Sequence, residues 1–139
     1  MNTANTMPLL MSLTMLVRWR DLDAFNHVNN STYLTYIEET RLHWMQNLPG
    51  EWMNASHSPL LAAVHVNYRR AANWPATIVV ELFCERLGNT SVTLAHRIVD
   101  AVDHEVLYSD GHSVMVWVDP ATGKPVPLPL VIRNACLPR

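Results

Sequence analysis

One stretch of this chain changes its period, and that change limits the folds open to it. From Asn30 to Leu48 the residues that need burial recur at helical steps: Tyr33, Ile37, Thr40, Trp44 and Leu48. Leu34, Leu42 and Met45 widen the apolar surface on other sides. Such a helix suits enclosure by a sheet better than a one-sided place on a surface. Asn29 or Asn30 can cap its start, and Pro49-Gly50 ends it. Around it the period falls to two. Residues 13–20 read as a strand, with Leu16, Arg18 and Arg20 on one side and Val17 and Trp19 on the other. Four more strands are expected at about 60–70, 76–87, 90–101 and 105–119. Gly88-Asn89 and Val102-Asp103-His104 supply turns, and Gly111 suggests a bulge. The order is one strand, one long helix and four sequential antiparallel strands. That is an α+β pattern, with a single helix on one sheet.

The rest of the chain is expected to lie outside this unit, which spans residues 13–119. Residues 1–12 read as a disordered or extended start. The tail 120–139 carries Pro125, Pro127, Pro129 and Pro138 and reads as extended or mobile. The whole chain has 139 residues, enough for one domain with a real core. With 49% apolar and 16% charged residues it is globular in composition. A net charge of −2 gives no basic field that calls for nucleic acid. The apolar start lacks a Lys or Arg before Arg18 and is too short to span a bilayer, so neither a signal peptide nor a membrane partner is expected. Cys84 and Cys136 are the only cysteines, and they fit a core thiol in a reducing cytoplasm rather than a disulfide scaffold. The seven histidines show no tight ligand spacing, so no metal is inferred, and no cofactor.

The chemistry sits just before the helix. Arg20-Asp21-Leu22-Asp23-Ala24-Phe25-Asn26-His27-Val28-Asn29-Asn30-Ser31-Thr32-Tyr33 is followed by Tyr36, Glu38, Glu39 and Arg41. Hydrolysis at a carbonyl needs activated water or a nucleophile on one side of it, and donors for the oxyanion. The first turn of a helix leaves N–H groups unpaired and favours negative charge. A carboxylate just upstream can face the same carbonyl. This segment resembles the signature of the 4-hydroxybenzoyl-CoA thioesterase-like branch of the hot-dog superfamily: an Asp-x-Asp, then His-Val-Asn-Asn, then a Tyr and an acidic pair before an Arg. Weaker likeness continues through Arg69-Arg70, Pro75-Ala76 and Glu85 to Ser91.

The resemblance implies a hot-dog fold, an antiparallel sheet of about five strands wrapped around one long central helix. It implies a homo-oligomer, dimer or tetramer, whose sheets join edge to edge, and an active site at the helix N-terminus. It matches the catalytic carboxylate to Asp23 and the oxyanion-binding amide to about Asn30. Asp23 then serves as general base or as nucleophile. The expected substrate is an acyl-CoA, with acyl-ACP hydrolysis or non-catalytic acyl binding as alternatives. Asp21 reads as structural, paired with Arg18 or Arg20. His27 touches substrate or holds the loop, and Tyr33 is a pocket wall or a core residue. Asn29 and Asn30 cap and shape the turn. Glu38, Glu39 and Arg41 read as a solvated or interface face. Arg69 and Arg70 are solvated strand-end charges or contacts to coenzyme A phosphates, a task that suits the planar guanidinium. The position before His27 is often Gly in that family and is Asn26 here. Asn tolerates the left-handed backbone that a Gly there would supply.

Overall fold

A computed structural model describes residues 7–138. Its elements are β1 (Leu9–Leu16), α1 (Asn30–Gln46), β2 (Ser58–Tyr68), β3 (Thr77–Leu87), β4 (Ser91–Asp100), β5 (Leu107–Val118) and α2 (Leu130–Cys136). The five strands form one antiparallel sheet in the order β1-β3-β4-β5-β2. The expected α+β architecture is present, with α1 against one face. The four later strands do not lie side by side in chain order. β2 crosses to the far edge and pairs with β5, while β1 takes the place beside β3. Both β1 and β2 are therefore sheet edges within the protomer.

Alternation on the central strands turns one set of side chains toward α1. Ile78, Val80 and Leu82 of β3 and Val92, Leu94 and Ile98 of β4 are almost wholly buried. The N-terminal half of α1, through Tyr33, Tyr36 and Ile37, packs on Ile78, Val80 and Ile98. Its C-terminal half, through Trp44 and Met45, packs on Leu82, Leu94, Met115 and Trp117. The helix is fixed along its length, so its first turn is held rigidly. Asn29 is its cap: the Asn29 side chain accepts from the Ser31 N–H at 3.0 Å. The helix closes at Gln46, before Pro49-Gly50.

The expected bounds at both ends of the unit are corrected. The first strand is Leu9–Leu16, not 13–20, because its register with β3 runs from Leu9 opposite Phe83 to Leu16 opposite Thr77. Arg18 then turns its N–H onto Asp21, and Trp19–Asp21 makes a single 3₁₀ turn. Residues 9–12 thus belong to the sheet, and residues 1–6 of the expected loose start lie outside the described region. The tail is not simply extended: Leu130–Cys136 is helical. Leu128, Ile132 and Cys136 recur at four-residue spacing and are buried against the sheet. Pro129 sits at the cap, where its missing N–H costs nothing.

Gly111 is not a bulge. It stays in register, opposite Val66 on β2 and His96 on β4. What it lacks room for is a side chain. A Cβ there would overlap the His65 carbonyl oxygen and lie 2.9 Å from the His96 ring, at a φ of +154°. Gly123 also has positive φ, +74°, but nothing lies within 4 Å of its Cβ direction. Gly111→Ala is expected to cost roughly 3 kcal/mol or more, since it combines overpacking with backbone displacement. Gly123→Ala should cost only about 1–2 kcal/mol, from the left-handed backbone alone. Urea midpoints of the two variants at equal concentration check the ranking; equal losses would contradict the packing argument.

His96 is buried on β4, with Nε2 3.2 Å from the Ser109 hydroxyl and Nδ1 without a partner. Burial lowers its pKa from 6.5 to about 4, with Arg41, His112 and His65 pushing the same way and Asp110 opposing. Between those two pH values the unfolded chain binds a proton and the folded chain does not. Stability therefore falls as pH drops from 6.5 toward 4, by roughly 3 kcal/mol from this group. Unfolding curves at pH 7 and pH 4.5 should show a shallower loss for His96→Gln than for the wild type. Equal slopes would remove His96 from the account.

Candidate functional site

The loop between β1 and α1 is closed by its own backbone. Leu22 and Val28 form an antiparallel bridge, and the Asp23 N–H donates to the His27 carbonyl at 2.8 Å. The turn between them requires a left-handed residue, and Asn26 supplies it at φ +62°. Asn fills this place at modest cost because its short side chain tolerates that region. The loop is then pinned at both ends. The Val28 N–H donates to Ala72, and the Asn29 N–H to the Asp21 carbonyl at 2.8 Å.

Asp21 is the anchor beneath it. Its buried carboxylate accepts from the Arg18 N–H at 2.8 Å and from the Tyr36 hydroxyl at 2.7 Å. Arg18 Nε lies 3.6 Å from its other oxygen, so of the two expected partners Arg18 is the one used. Burial first, and then the bond to Asp21, push the Tyr36 phenol far above its ordinary pKa. Tyr36 therefore stays a donor at any ordinary pH. The sequence motif contains Tyr36 but gives no sign of this bond, which spans fifteen residues.

Asp23 faces the other way. One carboxylate oxygen, Oδ1, accepts from the Phe25 N–H at 2.8 Å and the His27 N–H at 3.3 Å. Among the described residues Oδ2 has no hydrogen-bond partner. Asp23 lines a surface hollow of about 490 Å³ with Trp19, Arg20, Leu22, Ala24 and Asn26. Asn30 opens α1 seven residues on. Asn29 takes the Ser31 N–H on its side chain and the Thr32 N–H on its carbonyl. The Asn30 N–H is left as the first-turn donor without a partner among the described residues. Its carbonyl accepts from the Tyr68 hydroxyl at 3.0 Å, a contact between α1 and the end of β2 that local sequence does not announce.

The remaining candidates divide. His27 holds the loop through its backbone while its ring is exposed. Tyr33 is in the core: its hydroxyl accepts from the Ala72 N–H at 3.3 Å, and its ring meets Tyr36 and Tyr68 edge-on. Arg69 lies 3.0 Å from Asp110 as an exposed pair. Arg70 lines a separate hollow of about 660 Å³ with Trp74, Pro75 and Tyr108. Neither arginine lines the Asp23 hollow. Arg41, expected on a solvated or interface face, is not solvated: it is buried within the single copy, and its guanidinium donates to the Ser113 hydroxyl on β5. Glu38 and Glu39 are exposed.

A larger groove, about 780 Å³, opens at the opposite end of α1 between Leu10, Trp44, Leu48 and Val131. That end of a helix presents carbonyls, not amides, so it repels a developing oxyanion. The described residues hold no cluster of three or more His, Cys, Asp or Glu side chains able to bind a metal ion. No helix among them is long and apolar enough to cross a membrane.

The sequence model of the thioesterase-like superfamily matches residues 17–136. The long-chain acyl-CoA thioesterase FadM of Escherichia coli is 28% identical over 126 residues, covering 89% of this chain and 95% of that one. A solved structure of a candidate acyl-CoA thioesterase from Xanthomonas campestris is 51% identical, with a TM-score of 0.76, over 84% of this chain and 98% of the other. A Thermus thermophilus thioesterase, solved with coenzyme A and zinc, is 29% identical with a TM-score of 0.76, over 94% and 98%. The match spans the loop, α1, all the later strands and α2, and on that ground this chain belongs to the thioesterase-like superfamily, with the hot-dog fold.

Proposed function

We propose that this protein hydrolyses acyl-CoA thioesters at the junction of the Asp23 loop and the first turn of α1. The observation that carries the assignment is the division of labour within one carboxylate. Oδ1 of Asp23 is anchored by two backbone amides, Oδ2 has no hydrogen-bond partner among the described residues, and Asp23 lines a surface hollow. An anchored, oriented carboxylate with one open oxygen suits a base that takes a proton from water, or a nucleophile that attacks the thioester carbon. The oxyanion that forms is received by the Asn30 N–H, with the helix dipole behind it; one such preorganised donor is worth roughly 3–4 kcal/mol. On the base route, collapse of the tetrahedral species expels the thiolate, which takes the proton that Asp23 removed from water, and leaves the free acid. On the nucleophile route it leaves an Asp23 anhydride, which water then opens to the free acid and the carboxylate. The exposed His27 ring forms the rim of the site, and Tyr33 supports its wall from the core. The acyl-CoA thioesterases similar in sequence support coenzyme A as the carrier. The coenzyme A held by the Thermus protein supports it as well. Two free buried thiols support a reducing compartment, the cytoplasm.

The same reading includes a second copy. β2 ends the sheet, and Leu60, Leu61, Val64 and Tyr68 along it are exposed. An apolar edge with open backbone donors is a liability unless another strand covers it. A two-fold axis beside β2 pairs it with itself and makes a homodimer.

Asp23→Asn keeps the loop's shape and loses the base or nucleophile. Its kcat for acyl-CoA is expected to fall by about 10²–10⁴-fold. Circular dichroism and dimerisation should stay unchanged. Near wild-type hydrolysis by a folded Asp23→Asn protein would sink the assignment.

Arg69 and Arg70 are the proposed contacts to the coenzyme A phosphates. Arg70 carries the greater share, because the Arg69 Nε is already given to Asp110. Replacing both with Ala should raise KM for acyl-CoA with little change in kcat, the pattern for binding lost equally from ground and transition states. The N-acetylcysteamine thioester of the same acyl group, which lacks the nucleotide, should be hydrolysed alike by variant and wild type. An unchanged KM for acyl-CoA means that the phosphates are held elsewhere, and an acyl-ACP arm of the same assay compares the carriers.

A further inference from the structure

Arg41 is 5% exposed, and its Nη1 donates to the Ser113 hydroxyl at 3.2 Å. Among the described residues no carboxylate lies within ion-pair distance of it: the pairs present are Arg18–Asp21, Arg69–Asp110 and Arg97–Glu81. Burial pulls the guanidinium's pKa down, and Glu38 pulls it back up without touching it. A buried cation with one neutral hydroxyl for company is costly, and structures retain such a charge where an anion meets it.

The position of Arg41 says where that anion enters. Ser113 is paired with Val64 on β2, the strand that ends the sheet. Val64, Leu61 and Leu60 are exposed there. On α1, residues 34, 38, 41 and 42 are spaced as neighbours on one side of a helix. Leu34, Glu38 and Leu42 are exposed. These exposed side chains on α1 and on the β2 edge are thus apolar apart from the Glu38 carboxylate, and the Arg41 guanidinium is buried beside them, bonded to Ser113 on β5. Glu39 belongs elsewhere, in a small hollow with Met15, Leu16 and Arg18. A face with one acid and one base three residues apart is self-complementary under a two-fold axis: each acid meets the other copy's base.

We propose that the counter-ion of Arg41 is Glu38 of a second copy of this chain, with the reciprocal pair formed across the axis. This rests on the reading of β2 as a dimer edge, and adds to it a charge lock between the two helices. The lock fixes how α1 of one copy lies against α1 of the other. It also selects a second copy over any protein whose matching face lacks the carboxylate.

The test separates contact between copies from contact within a helix. Glu38→Arg and Arg41→Glu are made singly, and sedimentation with a fluorescent label follows dimerisation from nanomolar to micromolar protein. Each single variant sets like charges against each other at both reciprocal contacts. Its dimer should be weaker than the wild type by about thirtyfold or more. Mixing the two variants should restore a tight dimer, because the mixed pair sets two glutamates against two arginines. Contact within one helix cannot produce that rescue. A mixture that stays as weak as its components, beside a dimeric wild type, overturns the charge lock alone. So do single variants that dimerise as tightly as the wild type. A wild type that stays monomeric across the range overturns the dimer edge and the lock together. Position 38 is exposed, so Glu38→Arg reads out the lock through its dimerisation constant even if Arg41→Glu does not fold.

Discussion

The buried carboxylate of Asp21 is the constraint on which the site depends. It gathers the Arg18 amide and the Tyr36 hydroxyl, while its own carbonyl receives the Asn29 amide. β1, α1 and the two ends of the loop between them are thereby tied at one point. A buried charge held by short bonds of this kind is strong because each partner is desolvated and preoriented. Remove it and the loop loses its base, and the Tyr36 hydroxyl is left in the core without an acceptor. Asp23 is displayed because Asp21 is not. Two residues apart, the two carboxylates differ in environment: Asp21 is buried and bonded to Arg18 and Tyr36, and Asp23 is half-buried, with Oδ2 unbonded among the described residues.

Under the proposed function, the polarity of α1 favours the hollow on the loop before it over the groove beyond its far end. The larger groove, beside Trp44 and Leu48, has more room and a more apolar wall. It lies at the carbonyl end of the helix. The smaller hollow is lined by the loop that precedes α1, and the amide end of a helix is the end that favours a negative transition state. Size alone points to the carbonyl end, whereas the proposed chemistry needs the amide end. The core along α1 matters for the same reason. A donor contributes most to catalysis when it need not move, and Tyr33, Ile37 and Trp44 anchor the helix in the core.

Much of this was legible in the residues. The change of period at Asn30 marks the start of α1, which ends at Gln46, two residues short of the expected Leu48, and the alternation of Ile78, Val80 and Leu82 marks the sheet's inner face. Asn26 was expected to accept a left-handed backbone, and it does. What local sequence hid were contacts between distant segments. Nothing near Arg41 reveals that Ser113 lies beneath it, and nothing near Asn30 reveals the Tyr68 hydroxyl. The strand order was equally hidden, because alternation gives a strand its faces but not its neighbour. α2 was missed for a different reason: the prolines before it suggest an extended tail. Its four-residue spacing of Leu128, Ile132 and Cys136 has meaning only once a core exists for it to cover.

The central claim is geometric: the thioester carbonyl lies between residue 23 and the first amide of α1. The most direct measurement is a crystal structure of the Asp23→Asn protein with a non-hydrolysable acyl-CoA analogue. The account predicts the carbonyl oxygen about 2.7–3.1 Å from the Asn30 nitrogen, with the residue 23 side chain at the carbonyl carbon or at a water beside it. A carbonyl bound at the other end of α1, among Trp44, Leu48 and Val131, would contradict it.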